Sequence, residues 1–372
     1  MTARVVICCG SGGVGKTTVS AALAIKLATE GHRVAVLTID PARCLADSLG
    51  VGTLGNEARR VPLADALGPV SGSLDAIMLD AKATFDDLIR RASPSRTAAD
   101  RILANRYYRI ASQKLGGSHE FMAMEKLLDL WQSGPYDVIV LDTPPTRHAL
   151  DFLQAPERMA GLFDQGVMRW LTMPASEGGW RALELGSEVV ARVLKKIMGR
   201  GTISEIAGFF QDFRDLWDGF TERSGRVQRL LEDDATRFLL VTAPAAAAQT
   251  EALYFLQVLR ERKLPFAGFV VNRVASQPST DPLPDPLLDG GPPEGLDAEA
   301  WRAVQRALTE ALTRRQRRAA AERERIAQLQ QTGPDGAPCW LLPDQEHDLH
   351  DLQALYRLAP WLPAAPWADR AF

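Results

Sequence analysis

The 372-residue sequence contains no apolar run near the ~18 residues that a membrane-crossing helix needs, so no integral membrane segment is expected. Cysteine is scarce. Cys8, Cys9, Cys44 and Cys339 are the four, and none stands in a C-x-x-C pair, which leaves no support for a disulfide framework or a zinc site. Neither sign of charge dominates, with 43 Lys and Arg against 46 Asp and Glu for a net charge of −3. That balance offers no electrostatic case for a nucleic-acid partner or an anionic membrane. The first residues enter an apolar stretch without the basic segment of a secretory leader, so none is expected and the cytoplasm is the default location. What is present is 46% hydrophobic residues, enough for a sizeable core. The length suits two or three domains, or one large α/β domain carrying an insertion.

Short β-rich runs alternate with helical stretches. Strands are expected over Arg4–Cys9, Arg33–Ile39, Leu74–Asp80, Tyr136–Leu141, Arg237–Thr242, Phe266–Val271 and Cys339–Leu342. Several are apolar nearly throughout, as parallel strands covered on both faces should be. The alternation predicts a doubly wound, mainly parallel α/β sheet. Two regions interrupt it with helices alone, about 85–131 and about 156–234. Residues 1–154 and 235–372 are therefore expected to form the core, and 155–234 an inserted all-helical subdomain. A proline- and glycine-rich loop, Ser276–Gly295, precedes a charged helix over about Asp297–Gln331.

The first strand runs directly into GSGGVGKT, Gly10 to Thr17, which fits G-x-x-x-x-G-K-[ST]. After it, Val19, Ala22, Leu23 and Leu27 recur at helical spacing, so the motif lies between a strand and a helix. That context favours a phosphate cradle over a glycine turn that binds nothing. Glycines let successive backbone N–H groups point inward at phosphate oxygens, and the helix N-terminus adds its positive end. The nucleotide contacts are then Gly10, Ser11, Gly12, Gly13, Val14, Gly15, Lys16, Thr17 and Thr18. Lys16 reaches the terminal phosphates, and the Thr17 hydroxyl ligates Mg²⁺.

Two further carboxylates follow strands, in IDPARCLADSLG after the second and LDTPPTRHALDFL after the fourth. Ligands of open α/β sheets sit beyond the carboxyl ends of strands, so Asp40 and Asp142 are placed to face the phosphates. Such carboxylates suit the Mg²⁺ shell, directly or through water, and one near the γ-phosphate can orient an attacking water.

GSGGVGKTT, DPARCLADSLG, DTPPTRHALDFL and VVNRV, in that order across residues 10 to 274, resemble the arsenite-pump and tail-anchored-protein targeting ATPases, relatives of the MinD and ParA ATPases with a deviant phosphate loop. The resemblance implies an ATP-hydrolysing, Mg²⁺-dependent dimeric switch, either a homodimer or a heterodimer with a paralogous ATPase subunit. It implies that Asp40 positions the hydrolytic water, that Asp142 is the carboxylate near Mg²⁺, and that Asn272 hydrogen-bonds adenine, with Pro343 and Asp344 packing on the base. No guanine motif follows Asn272, so ATP is favoured over GTP.

Departures from the family pattern matter as much. Ser11 stands where relatives carry a lysine that reaches across the dimer to the partner's phosphates. Serine supplies no cation, which leaves slow hydrolysis, a different subunit that provides the charge, or substitution by Arg43 or Arg147. A non-catalytic nucleotide-binding subunit paired with an active paralogue is the competing reading. An anion or metalloid pump subunit is a weaker one, since the cysteines form no evident exposed cluster. Met159, Met168, Met173 and Met198, with Trp170, Leu171, Trp180 and the Phe209–Phe220 stretch, form either packed core or a groove for a hydrophobic client. RRQRR at Arg314–Arg318 reads as a solvated face or a partner contact. His347 and His350 read as a solvated helix start or a metal pair. Gly116, Gly117 and Glu120 are candidates for the dimer or switch region.

Overall fold

The computed structural model describes residues 3–40, 44–105, 108, 118–144, 217–275, 291–334, 336–345, 349 and 351–367. Its centre is an eight-stranded sheet in the order β3-β4-β2-β5-β1-β6-β7-β8. The strands are β1 Arg4–Cys9, β2 Arg33–Thr38, β3 Arg59–Arg60, β4 Ser73–Met78, β5 Val138–Asp142, β6 Thr236–Thr242, β7 Phe266–Val274 and β8 Cys339–Pro343. Every pairing is parallel except β3 with β4. The described helices are α1 Lys16–Thr29, α2 Cys44–Ser48, α3 Leu63–Leu67, α4 Ala81–Ala92, α5 Arg96–Ala104, α6 Ser118–Ser133, α7 Trp217–Glu232, α8 Ala246–Glu261, α9 Ala298–Thr332 and α10 Leu352–Tyr356.

Both faces of the sheet are covered, which is why its strands read as continuous apolar runs. Alternate residues of β1 divide between the two layers. Val5, Ile7 and Cys9 pack with Phe121 of α6, Val227 of α7 and Phe255 of α8. Val6 and Cys8 pack with Val19, Leu23 and Leu27 of α1 and Leu355 of α10. The chain leaves β1 toward β2 on one side and later builds β6, β7 and β8 on the other. β1 is thus the topological switch point, and the crevice at its carboxyl end is where an open α/β sheet takes its ligand.

The expected mainly parallel α/β sheet is present, with three local differences. β3 is an antiparallel edge pair of two arginines with no hydrophobic pattern, secured by the Arg60–Asp75 ion pair at 2.6 Å. β5 starts later than expected, because Asp137 is engaged at the strand's mouth: its carboxylate accepts from the Arg33 backbone N at 2.9 Å and from the Arg33 guanidinium. β7 runs on to Val274 through a bulge. Val271 faces Leu341 and Val274 faces Pro343, so β7 carries one extra residue, with Arg273 in the left-handed region at φ 60.

Helices α4, α6 and α7 meet at a buried ion network. Arg223 of α7 donates from Nε to Glu125 at 2.5 Å and from Nη2 to Asp129 at 2.8 Å, both on α6, and Arg91 of α4 also pairs with Asp129. Glu125 is 1% exposed, and burial pushes its carboxyl above the usual range while Arg223 pulls it back. Of the expected helical insertion, α7 is described. Arg147, Met159 to Met198, Trp170, Leu171, Trp180 and Phe209 to Leu216 lie outside the described residues, as do Arg43, Gly116, Gly117, His347 and His350.

Candidate nucleotide site

The glycine loop leaves β1 at Gly10 and enters α1 at Lys16, in the strand–loop–helix setting that the spacing required. Two of its glycines are sterically fixed. A Cβ on Gly10 would stand 2.0 Å from the Val241 carbonyl of β6, and one on Gly15 would stand 2.3 Å from the Asn272 amide. Gly15 caps α1 at φ 90, a left-handed conformation that glycine adopts without penalty.

Lys16 lies back across this loop, its Nζ donating to the Ser11 carbonyl at 2.9 Å. Burial lowers the pKa of its ammonium, and Asp142 chiefly opposes that shift. The Thr17 hydroxyl donates to Asp142 Oδ2 at 2.7 Å, and the Thr38 hydroxyl from the end of β2 donates to the same oxygen at 3.0 Å. Asp142 is the last residue of β5, in register with Cys8 and Thr38. It is fully buried, and burial raises its carboxyl to about 6 against the pull of Thr17, Thr38 and Lys16. Its other oxygen, Oδ1, has no hydrogen-bond partner among the described residues. Asp40 is half-buried beyond β2, its backbone N donating to Thr38 Oγ1 at 3.3 Å. The site thus joins the ends of three adjacent strands, β2, β5 and β1, around two hydroxyls, one lysine and two carboxylates.

This donor set fits Mg²⁺ held with a phosphate. Mg²⁺ takes one or two carboxylates, keeps several waters and completes its shell from phosphate oxygens. An orphaned carboxylate oxygen beside a threonine hydroxyl suits a metal-bound water. Among the described residues no cluster of three His, Cys, Asp or Glu offers a cage that would hold a metal without the nucleotide.

Asn272 comes to the site from the far side. Its Nδ2 donates to the Val14 carbonyl at 2.9 Å and its Oδ1 accepts from the Arg273 backbone N at 2.9 Å. A side-chain amide has two donor hydrogens and two acceptor lone pairs, so one of each remains. Pro343 closes β8, and the Asp344 backbone N donates to the Val274 carbonyl at 2.8 Å beside the bulge. Val14 is buried in the loop, Ser11 contributes its carbonyl to Lys16, and Thr18 is half-buried in the first turn of α1. The residues proposed for the phosphates therefore sit together, and Asn272, Pro343 and Asp344 form a second group at the ends of β7 and β8. Thr38 belongs to the first group and carried no motif; the only signal was its place at the end of β2, two residues before Asp40.

The fold and this site define a P-loop nucleotide hydrolase. Across residues 3–285 the chain matches the family described as anion-transporting ATPase. It is 29% identical over 279 residues to "ATPase GET3" of Phaeosphaeria nodorum, covering 73% of this chain and 77% of that protein. It is 27% identical over 292 residues to "ATPase GET3C" of Arabidopsis thaliana, covering 73% and 67%. With "ATPase get3" of Aspergillus terreus it shares 33% over 216 residues, covering 57% and 61%. The chain belongs to the anion-transporting ATPase family, that of the arsenite-pump and tail-anchored-protein targeting ATPases, and it is an ATPase. No helix among the described residues is long and apolar enough to cross a membrane.

Cys8 and Cys9 lie under the loop in β1, both buried, and desolvation raises the Cys8 thiol to about 12 and the Cys9 thiol further. Thiols so held stay protonated and unreactive. A thiol reagent at neutral pH is expected to leave both unlabelled in the native protein and to label both once it is denatured. Peptide mapping that finds either labelled in the native state contradicts this burial.

Proposed function

We propose that the chain is a Mg²⁺-dependent, ATP-driven switch that works as a dimer and couples its nucleotide state to a helical subdomain that binds and releases a hydrophobic protein client. The observation that carries the reading is the hydrogen bond from Thr17 to Asp142, a buried carboxylate whose second oxygen has no hydrogen-bond partner among the described residues. Thr17 would hold Mg²⁺ directly and Asp142 through water, and the metal would neutralise charge developing on the phosphates. Lys16 would exchange the Ser11 carbonyl for the terminal phosphates, and Asp40 would orient the attacking water. Asn272 would use its remaining donor and acceptor on the adenine edge, with Pro343 and Asp344 against the base. Loss of the γ-phosphate would release the segments after Asp40 and Asp142, the usual order-to-release behaviour of such switches. In this reading residues 1–154 and 235–372 form the ATPase core, 155–234 the client-binding insertion, whose last helix α7 packs back on the core sheet, and the cytoplasm is the working compartment.

Steady-state hydrolysis of Mg²⁺-ATP by the purified chain, with Lys16→Ala as the blank, tests this. Specific activity that rises with protein concentration supports a homodimer. Tight ATP binding without turnover supports instead a half-site completed by a paralogous subunit, the reading favoured by Ser11. Turnover independent of Mg²⁺ would overturn both. Ser11→Lys is expected to raise kcat at least tenfold in a homodimer, because a cation supplied in trans is worth ~10³–10⁵ in related phosphoryl transfers. An unchanged kcat in a demonstrated dimer would show that this position does not face the partner's phosphates.

A further inference from the structure

Helix α9 reaches the loops that follow three neighbouring strands, and it does so with charged residues from its C-terminal half. Arg325 donates from Nη1 to the Pro244 carbonyl beyond β6 at 3.2 Å. Glu322 Oε2 accepts from the Ala275 backbone N beyond β7 at 2.7 Å. Arg318 donates from Nη2 to Asp344 Oδ2 beyond β8 at 3.1 Å, and from Nε to Glu322 Oε1 at 2.7 Å. Glu322 is 5% exposed, in line with Ala319, Ile326 and Leu329 on the buried face of the helix. A carboxylate there must be satisfied on both oxygens, and it is.

These contacts bracket the bulge of β7. Arg273 holds a left-handed φ of 60, which a non-glycine residue keeps only where its surroundings enforce it. Immediately before it stands Asn272, turned onto the phosphate loop at Val14. Two residues after it, Ala275 is fixed by Glu322, and the Val274 carbonyl between them accepts from Asp344 N. The strained turn that aims Asn272 is therefore closed by a helix nearly fifty residues further along the chain. Strain of this kind clusters where a geometry is used.

We infer that Glu322 and Arg318 are positioning residues for the base of the nucleotide, holding the Asn272 bulge and the Pro343–Asp344 turn in the arrangement that meets adenine. This rests on the reading of Asn272 as the base contact. Both residues bond to the segments after β7 and β8 rather than to the phosphate loop, so their effect should fall on ligands that carry a base.

The test compares Mg²⁺-ADP with Mg²⁺-tripolyphosphate, which has the phosphates and no base, by calorimetric titration of purified variants. KM and kcat for ATP are measured alongside. Arg318→Ala and Glu322→Ala should weaken Mg²⁺-ADP about tenfold, the usual scale for losing a hydrogen bond to a charged group. Tripolyphosphate binding should stay within twofold, and KM should rise more than kcat falls. Glu322→Gln keeps one oxygen to accept from Ala275 N but turns its amide NH2 toward the Arg318 Nε donor, so it should recover only part of the loss. Arg318 is largely exposed, so Arg318→Ala decides the matter if Glu322→Ala fails to fold. Asn272→Ala serves as the marker of the base reading and should itself discriminate between the two ligands. Wild-type ADP affinity in the α9 variants, or equal loss of both ligands, overturns the inference while leaving a discriminating Asn272→Ala intact. An Asn272→Ala that weakens both ligands alike removes the base reading, and the inference with it.

Discussion

Lys16→Ala is expected to lower the rate of ATP hydrolysis by about 10²–10³ without lowering the stability of the fold. The size follows from removing one preorganised cation from a dry site. The second half of the expectation follows from the structure. Lys16 is buried, its charged form is disfavoured by desolvation, and its one hydrogen bond among the described residues goes to the Ser11 carbonyl. Deleting a buried ammonium relieves that cost while forfeiting one bond and its attraction to Asp142, which Thr17 and Thr38 still hold, so the melting temperature should change little. Lys16→Arg should not restore turnover, since a planar fork cannot take the place of a compact point charge in a closed loop. A variant that keeps more than a tenth of the wild-type rate would show that the loop does not work on phosphate in the way its geometry supports. Loss of rate together with loss of stability would show that Lys16 is structural.

Arg223→Ala is expected to cost about 3 kcal/mol of stability, read as a shift of the denaturation midpoint, because it strands a buried carboxylate. Glu125 is 1% exposed and its Oε1 already lacks a partner among the described residues, so Arg223 is its principal compensation. The loss should depend on pH in a definite direction. Burial raises the folded-state pKa of Glu125 above its ordinary value, and removing Arg223 removes the chief opposing influence. A carboxyl whose folded pKa lies above its unfolded one contributes stability below the unfolded value and loses it as pH rises through the folded value. The variant should therefore sit closer to wild type at mildly acid pH than at pH 8. Pairing Arg223→Met with Glu125→Met should recover much of the loss, as matched apolar replacements of buried ion pairs do. A single variant as stable as wild type, or a deficit that does not change with pH, would mean that Glu125 is solvated in solution.

Both expectations fall on residues with different visibility in the sequence. The phosphate loop was legible because its pattern is local: glycine geometry, one lysine and one hydroxyl within eight positions, framed by an apolar strand and an amphipathic helix. Seven of the eight strands were legible for a related reason, since all of these but the edge strand β8 are largely buried and carry nearly uninterrupted apolar residues. β3 was not, because two arginines on an edge are held by a partner, Asp75, rather than by a pattern of their own. β5 was found with its start misplaced. The bulge of β7 was hidden, because a left-handed Arg273 looks like any other arginine until Val274 and Pro343 are seen to pair. Arg318 and Glu322 read as part of a solvated charged face. Only the backbone of Ala275, 47 positions away, reveals that one turn of that face is turned inward.

The order of the sheet sets a timetable for the ribosome. β1 emerges before every other strand of the sheet, yet its two neighbours are β5 and β6: Arg4 pairs with Val138, and Val5 with Thr236. More than two hundred residues must be translated before the first strand has both edges covered. At about 5–20 residues per second that interval lasts on the order of ten seconds or more. Throughout it, RVVICC is an apolar segment with open edges, the kind that pairs with other nascent chains. A nucleotide cannot help during this wait, because Asp142 arrives with β5 and Asn272 only after β6. Any truncation that stops short of Thr242 should therefore be recovered as aggregate, with ATP in the buffer making no difference.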